Sequence, residues 1–170
     1  MNEELVNKVA DSGIVSIDLA QYYPGEEMVV FDLKDYLFMQ LILKEKDFRE
    51  ALKNLDVEKY RNKWVAITCS ADVIIPMWAN MLVASTLQPI AKDIIFGTEK
   101  ELLNHIMTER ISAVNWEAFL DQRIVVKGCG DLPIPEAAYV AITNKLRPYA
   151  RSIMYGEPCS TVPIFKKPKT

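Results

Sequence analysis

The feature that most constrains this chain is a rhythm in its second half, where short β-branched runs alternate with stretches of helical length. Trp64-Val65-Ala66-Ile67-Thr68 is one such run, and the loop Cys69-Ser70-Ala71-Asp72 follows it. A helical stretch from about Ile74 to Ala91 comes next, apolar nearly all round through Trp78, Met81, Leu82, Val83 and Leu87. Such a helix is expected to be buried on every side. Pro76 falls in its first turn, where a missing N–H matters little, and Asp72 is placed to cap it. Asp93-Ile94-Ile95-Phe96-Gly97 reads as a strand stopped by glycine, and Thr98 with Glu101 has the form of a capping box. Arg123-Ile124-Val125-Val126-Lys127 is a further strand, broken by Gly128-Cys129-Gly130. Pro135 and Glu136 open a helix with Tyr139, Ile142 and Leu146 on one face, and Ser152-Ile153-Met154-Tyr155 is a last strand.

Strands alternating with helices predict an α/β fold: three layers, a mostly parallel sheet with helices on both faces. At 170 residues the chain is expected to form a single domain, 1–170, with 159–170 an extended C-terminal tail rich in Pro and Lys. The first sixty residues are less regular. Val15 to Leu19 and Met28 to Phe31 read as strands, and Leu37, Leu41, Phe48, Leu52 and Leu55 fit one helical face, with a break near Leu43 equally compatible. No internal repeat is evident by inspection.

Charge narrows the function classes. Twenty Lys and Arg against 23 Asp and Glu give a net charge of −3, which offers no basic footprint for nucleic acid. The opening Met1-Asn2-Glu3-Glu4 has no basic, apolar leader pattern, and no run of eighteen apolar residues exists, so a cytoplasmic location without a membrane span is expected. A lone histidine, His105, removes most zinc and general-base arrangements and reads as a surface residue of an amphipathic helix.

The three cysteines carry the chemistry that remains. Cys69, Cys129 and Cys159 each follow a strand, so in one parallel sheet all three would lie at its carboxyl edge, where open α/β sheets bind ligands. Three thiols there suit a soft metal, zinc or iron, with Asp72 or Glu157 (or Asp131) supplying oxygen. Ser70, Gly128, Gly130, Asp131, Trp78 and Tyr155 would form the surrounding pocket. The plain alternative is that cysteine packs as a small hydrophobe, and for any one of the three alone it is the better reading. Cys69 has another possible role, as a nucleophile before a helix N-terminus with the N–H groups of Ser70 and Ala71 facing an oxyanion; the missing base weighs against it. Gly128-Cys129-Gly130-Asp131 has glycines suited to a phosphate but neither established nucleotide-loop spacing, and a tight turn accounts for them equally.

The segments Cys69 to Asp72 with Ile75 to Ala79, Lys127 to Gly130, and Tyr155 to Pro163, together with Glu45 to Arg49, resemble the uncharacterised bacterial domain-of-unknown-function family 2480 over the whole chain. The resemblance implies no activity. It implies a cytoplasmic accessory role near metal or sulfur handling, with iron–sulfur assembly proteins as partners. Three readings therefore stand: a metal or iron–sulfur accessory protein, an enzyme using Cys69 for thiol transfer or hydrolysis, and a module that binds a small molecule or protein. Homo-oligomerisation is also expected, because apolar residues of the N-terminal segment find no place in the pattern.

Overall fold

In the computed structural model, which describes residues 13–128, 130–157 and 159–168, the β-branched runs form β1 (Ile14–Asp18), β2 (Met28–Asp32), β3 (Trp64–Thr68), β4 (Asp93–Phe96), β5 (Arg123–Lys127), β6 (Ser152–Glu157) and β7 (Ser160–Lys166). Between them lie α1 (Glu45–Lys53), α2 (Met77–Leu87), α3 (Glu99–Ser112) and α4 (Glu136–Leu146). The architecture is α/β with mostly parallel strands, as expected, but the strands form two sheets instead of one. Two compact units result, Pro24–Leu103 and the residues up to Tyr23 joined with Asn104–Thr170. The first unit holds the all-parallel sheet β2-β3-β4. The other holds β1-β5-β6-β7, parallel except that β7 runs antiparallel to β6.

Side chains account for why the first sheet stops at β4. The Gly97 N–H donates to the Ile67 carbonyl at 2.9 Å, so alternate N–H groups, at Ile94, Phe96 and Thr98, face away from β3. The Ile94 N–H donates to Asp93 Oδ1 at 2.8 Å and the Thr98 N–H to Glu101 Oε2 at 2.7 Å. Two groups that a further strand would need are thereby engaged locally, which blunts the edge. The Thr98–Glu101 pair is the expected capping box, closed by the Glu101 N–H on Thr98 Oγ1 at 3.3 Å.

Contrary to the sequence reading, the chain contains a repeat. Residues 57–98 and 116–157 align in sequence with a constant offset of 59 positions, matching Glu58 with Glu117, Asp72 with Asp131, Pro76 with Pro135, Pro89 with Pro148 and Gly97 with Gly156. Each copy is a 3-10 turn, a strand, a helix and a strand. Hydrogen bonds repeat as well: Asn62 N–H to the Ile90 carbonyl (3.0 Å) matches Asp121 to Tyr149 (2.9 Å), and Ala79 to Pro76 matches Ala138 to Pro135, both 3.0 Å. Asn62 and Asp121 share a left-handed φ of 57° and 58°. The same buried positions recur, with Val65, Ala66, Ile67, Ala79, Val83 and Leu87 against Ile124, Val125, Val126, Ala138, Ile142 and Leu146. The preceding strands also match. Asp18 and Asp32 each end a strand and cap a 3-10 turn through a 2.9 Å bond, to the N–H groups of Ala20 and Lys34.

Several elements differ from expectation. Helix α2 is shorter than Ile74–Ala91, and Pro76 is its N-cap with no side-chain cap bond, so Asp72 caps nothing there. It is not buried on every side either, since Met77 and Met81 are exposed. The long helical face through Leu37 and Leu41 resolves into a 3-10 turn at Leu33–Tyr36, a tight turn closed by the Phe38–Ile42 bridge, and α1. Residues Ser160–Lys166 of the C-terminal segment, read from sequence as extended, form strand β7. Among the described residues no helix is long and apolar enough to cross a membrane.

Candidate functional site

In the second unit a groove forms where the second copy of the repeat meets β7. Strands β5 and β6 supply Val126, Ile153, Met154 and Tyr155, helix α4 supplies Tyr139 and Thr143 one turn apart, and β7 supplies Ile164. The cavity measures about 290 Å³, close to the lower bound of small-molecule sites, and such sites are characteristically apolar with a few polar groups. The Tyr139 and Tyr155 rings stand nearly perpendicular at 5.8 Å, the favoured edge-to-face arrangement.

Local chemistry fixes these walls. The Tyr139 hydroxyl donates to the Gly128 carbonyl at 3.3 Å, and the Thr143 hydroxyl donates to the Tyr139 carbonyl at 2.7 Å. A side chain at Gly128 would overlap the Tyr139 phenol, so this glycine makes room for the ring. Gly128 is not among the residues with left-handed backbone, so a positive φ is not what calls for glycine at this position. Gly156 is different: its φ is +117°, and a Cβ there would lie 2.6 Å from the Ser160 carbonyl oxygen. It lets β6 turn into β7 and so brings Ile164 over the groove. Arg147, at the C-cap of α4, stacks 3.7 Å over the Phe165 ring and holds β7 from the helix side. Lys127, open to assignment from sequence, lies 3.7 Å from the Asp18 carboxylate on the neighbouring strand.

The cysteines do follow strand ends, but on two sheets. Cys69 follows β3 in the unit Pro24–Leu103, so a single sheet edge shared by all three thiols does not exist. Its half-buried thiol donates weakly to the Ala71 carbonyl at 3.6 Å. The Ser70 N–H, proposed for an oxyanion, is engaged by Asp32 Oδ1 at 3.0 Å. Burial alone would raise the Asp32 pKa; hydrogen bonds from Ser70 and the Lys34 N–H, with the Lys34 charge, outweigh it and hold the carboxyl below its ordinary range. Ser70 therefore braces β2 against β3, which leaves the Cys69 nucleophile without that donor. Cys129 lies outside the described residues. Cys159 is exposed in the turn between β6 and β7. Because Val126 pairs with Tyr155, the carboxyl ends of β5 and β6 are adjacent in the sheet. Asp72, Asp131, Glu157 and Gly130 are exposed. Trp78 packs 6.3 Å from Phe48, beside the core of the first unit. His105 is part-exposed and 3.8 Å from Glu109.

Of the pocket residues expected from sequence, Tyr155 lines the groove and Gly128 anchors Tyr139. Val126, Thr143, Ile153, Met154 and Ile164 were missed. A usable signal was the repeat, since Tyr139 and Tyr155 stand where the first copy has Asn80 and Phe96. A sequence model of one family, described as "Protein of unknown function (DUF2480)", matches residues 3–167. No curated protein and no solved structure matches the chain.

Proposed function

The chain belongs to this family of unknown function, and from that premise we propose that it is a binding module whose groove takes a small, flat, mostly apolar molecule carrying one or two polar groups. The single observation behind this is the composition of the groove: aliphatic walls, two tyrosines in edge-to-face contact, and a threonine within one helical turn of them. A planar ring fits between such walls by dispersion and aromatic contact, with the Tyr155 phenol at hand for orientation. Indole is a suitable probe. Calorimetric titration of the full chain is expected to give saturable binding at one site, with affinity at least tenfold weaker in Ile164→Asp. Binding that never saturates, or that ignores this substitution, contradicts the proposal.

A second reading keeps part of the metal site. It is favoured by the adjacency of β5 and β6, whose following segments carry Cys129 and Cys159. Two thiolates with Glu157 or Asp131 make a donor set of the kind zinc accepts and iron tolerates. In this reading the protein serves metal or iron–sulfur metabolism, with assembly proteins as partners, and Cys69 takes no part. Equilibrium dialysis against Zn²⁺ would then show one ion per chain, lost in both Cys129→Ser and Cys159→Ser and retained in Cys69→Ser. Equal retention in all three variants removes it.

A further inference from the structure

Helix α2 is the anomaly of the first unit. From Met77 to Leu87 it contains no acidic and no basic residue, yet one stripe of it is bare. Met77 is 77% exposed and Met81 70%, and Ile74, just ahead of the helix, is 94% exposed. Ser85 and Gln88 continue the stripe as small or neutral groups, also exposed. The repeat provides an internal control. Helix α4, the same element in the second copy, places Glu136 where α2 has Met77 and adds Lys145 near its end, the ordinary pattern of a solvated outer face. On this stripe the two copies thus differ in charge at one position, Met77 against Glu136; Val140, at the position of Met81, is itself 61% exposed, and Lys145 aligns with the half-buried Thr86.

We infer that the α2 stripe is the interface through which two copies of this chain associate about a two-fold axis. A helix apolar all round is ordinarily covered, and among the described residues nothing covers this stripe. The choice of occupant rests on charge and area. An anionic lipid surface or a nucleic acid calls for several unpaired Lys or Arg beside the patch; 74–87 contains none, and Lys92, which lines a cavity with Ser85 and Gln88, is paired with Glu26. A charged protein partner would bury unpaired charge against thioethers, which is costly. A second copy of the same stripe brings neither charge nor unpaired groups, and a two-fold contact requires only that the surface be complementary to itself. Ile74, Met77 and Met81 together offer roughly 400 Å² of apolar surface, the size of the largest patch on a typical monomer, which is often functional. A standard dimer buries about 800 Å² per partner, a little over half of it non-polar, so the stripe supplies most of the apolar share. Methionine suits such a contact because its unbranched side chain adapts to a facing copy of itself.

The test is the mass of the full chain by light scattering after gel filtration, across a range of concentrations. Wild type is expected at twice the mass of one chain. Met81→Glu should weaken the dimer at least a hundredfold and give a monomer with an unchanged circular dichroism spectrum. Val140→Glu, at the equivalent position of α4, should remain dimeric. Met77→Lys reads the same surface should Met81→Glu fail to fold. A wild-type monomer at every concentration, a dimer that survives both α2 variants, dispersal by Val140→Glu, or a monomer that instead sediments with lipid vesicles would each overturn the inference.

Discussion

Phe31→Ala is expected to destabilise the unit Pro24–Leu103 by about 3–5 kcal/mol, the range for removing a buried phenylalanine. Phe31 is 1% exposed and sits at the centre of an aromatic cluster, stacked 5.1 Å from Tyr36, with Tyr60 at 6.0 Å. Tyr36 in turn meets Phe48 edge-on at 5.3 Å. Neither α1 nor the strand can close the resulting void without losing those contacts. Its neighbour Val30 points to the opposite face and is 42% exposed, so Val30→Ala should change stability by less than about 1 kcal/mol. Urea unfolding of both variants measures the difference. Equal losses would mean that β2 is registered one residue off, since a slip of one inverts every side chain.

Gly156→Ala should cost about 2–3 kcal/mol, from a φ that L-residues rarely adopt and a near-overlap with the Ser160 carbonyl. The loss is expected to be local first. Pairing of Gly156 with Thr161 and of Glu157 with Ser160 would loosen, and the amides of β7 should exchange faster with solvent than those of β5. Because Ile164 reaches the groove through this turn, the substitution should also weaken indole binding. An alanine variant with native stability and unaltered exchange in β7 would show that the turn is not held as described. Gly130→Ala, where a Cβ meets nothing within 4 Å, is the matched control.

Legibility in the sequence followed physical cause. Strands β3 and β5 announce themselves because a parallel strand covered on both faces must be a continuous apolar run. The capping box at Thr98 was readable because both partners lie within one turn. By contrast, the turn at Phe38–Ile42 has Met39 and Gln40 at φ values of 51° and 59°, with no glycine or asparagine to mark it, so Leu37 and Leu41 passed for a helical face. β7 was hidden by Pro163, which lacks a ladder donor; the strand tolerates it at the sheet edge, next to the register shift at Ile153–Met154. The repeat was obscured by the residues that drew most attention. Cys69 aligns with Gly128 and Cys129 with Ser70, so the thiols mark divergence between the copies, and what the copies share is prolines, small core residues and one loop aspartate.

The groove itself was the least legible feature. Tyrosine, threonine, methionine and isoleucine are ordinary residues of a core, and only their arrival from four separate elements makes a cavity of them. The two copies of the repeat supply the comparison that tests it. Unfilled space of that composition should bind a flat apolar molecule in the second copy, whereas the first has Asn80, Ala84 and Phe96 at the positions of Tyr139, Thr143 and Tyr155. The decisive measurement is the map of backbone amide shifts on titrating indole into the isotopically labelled full chain, with Thr143→Trp and Ala84→Trp alongside. Saturable shifts confined to Val126, Tyr139, Thr143 and Met154–Tyr155, abolished by Thr143→Trp and preserved in Ala84→Trp, are expected. Shifts centred instead on the first copy, or spread without saturation over both, would contradict a binding groove in the second.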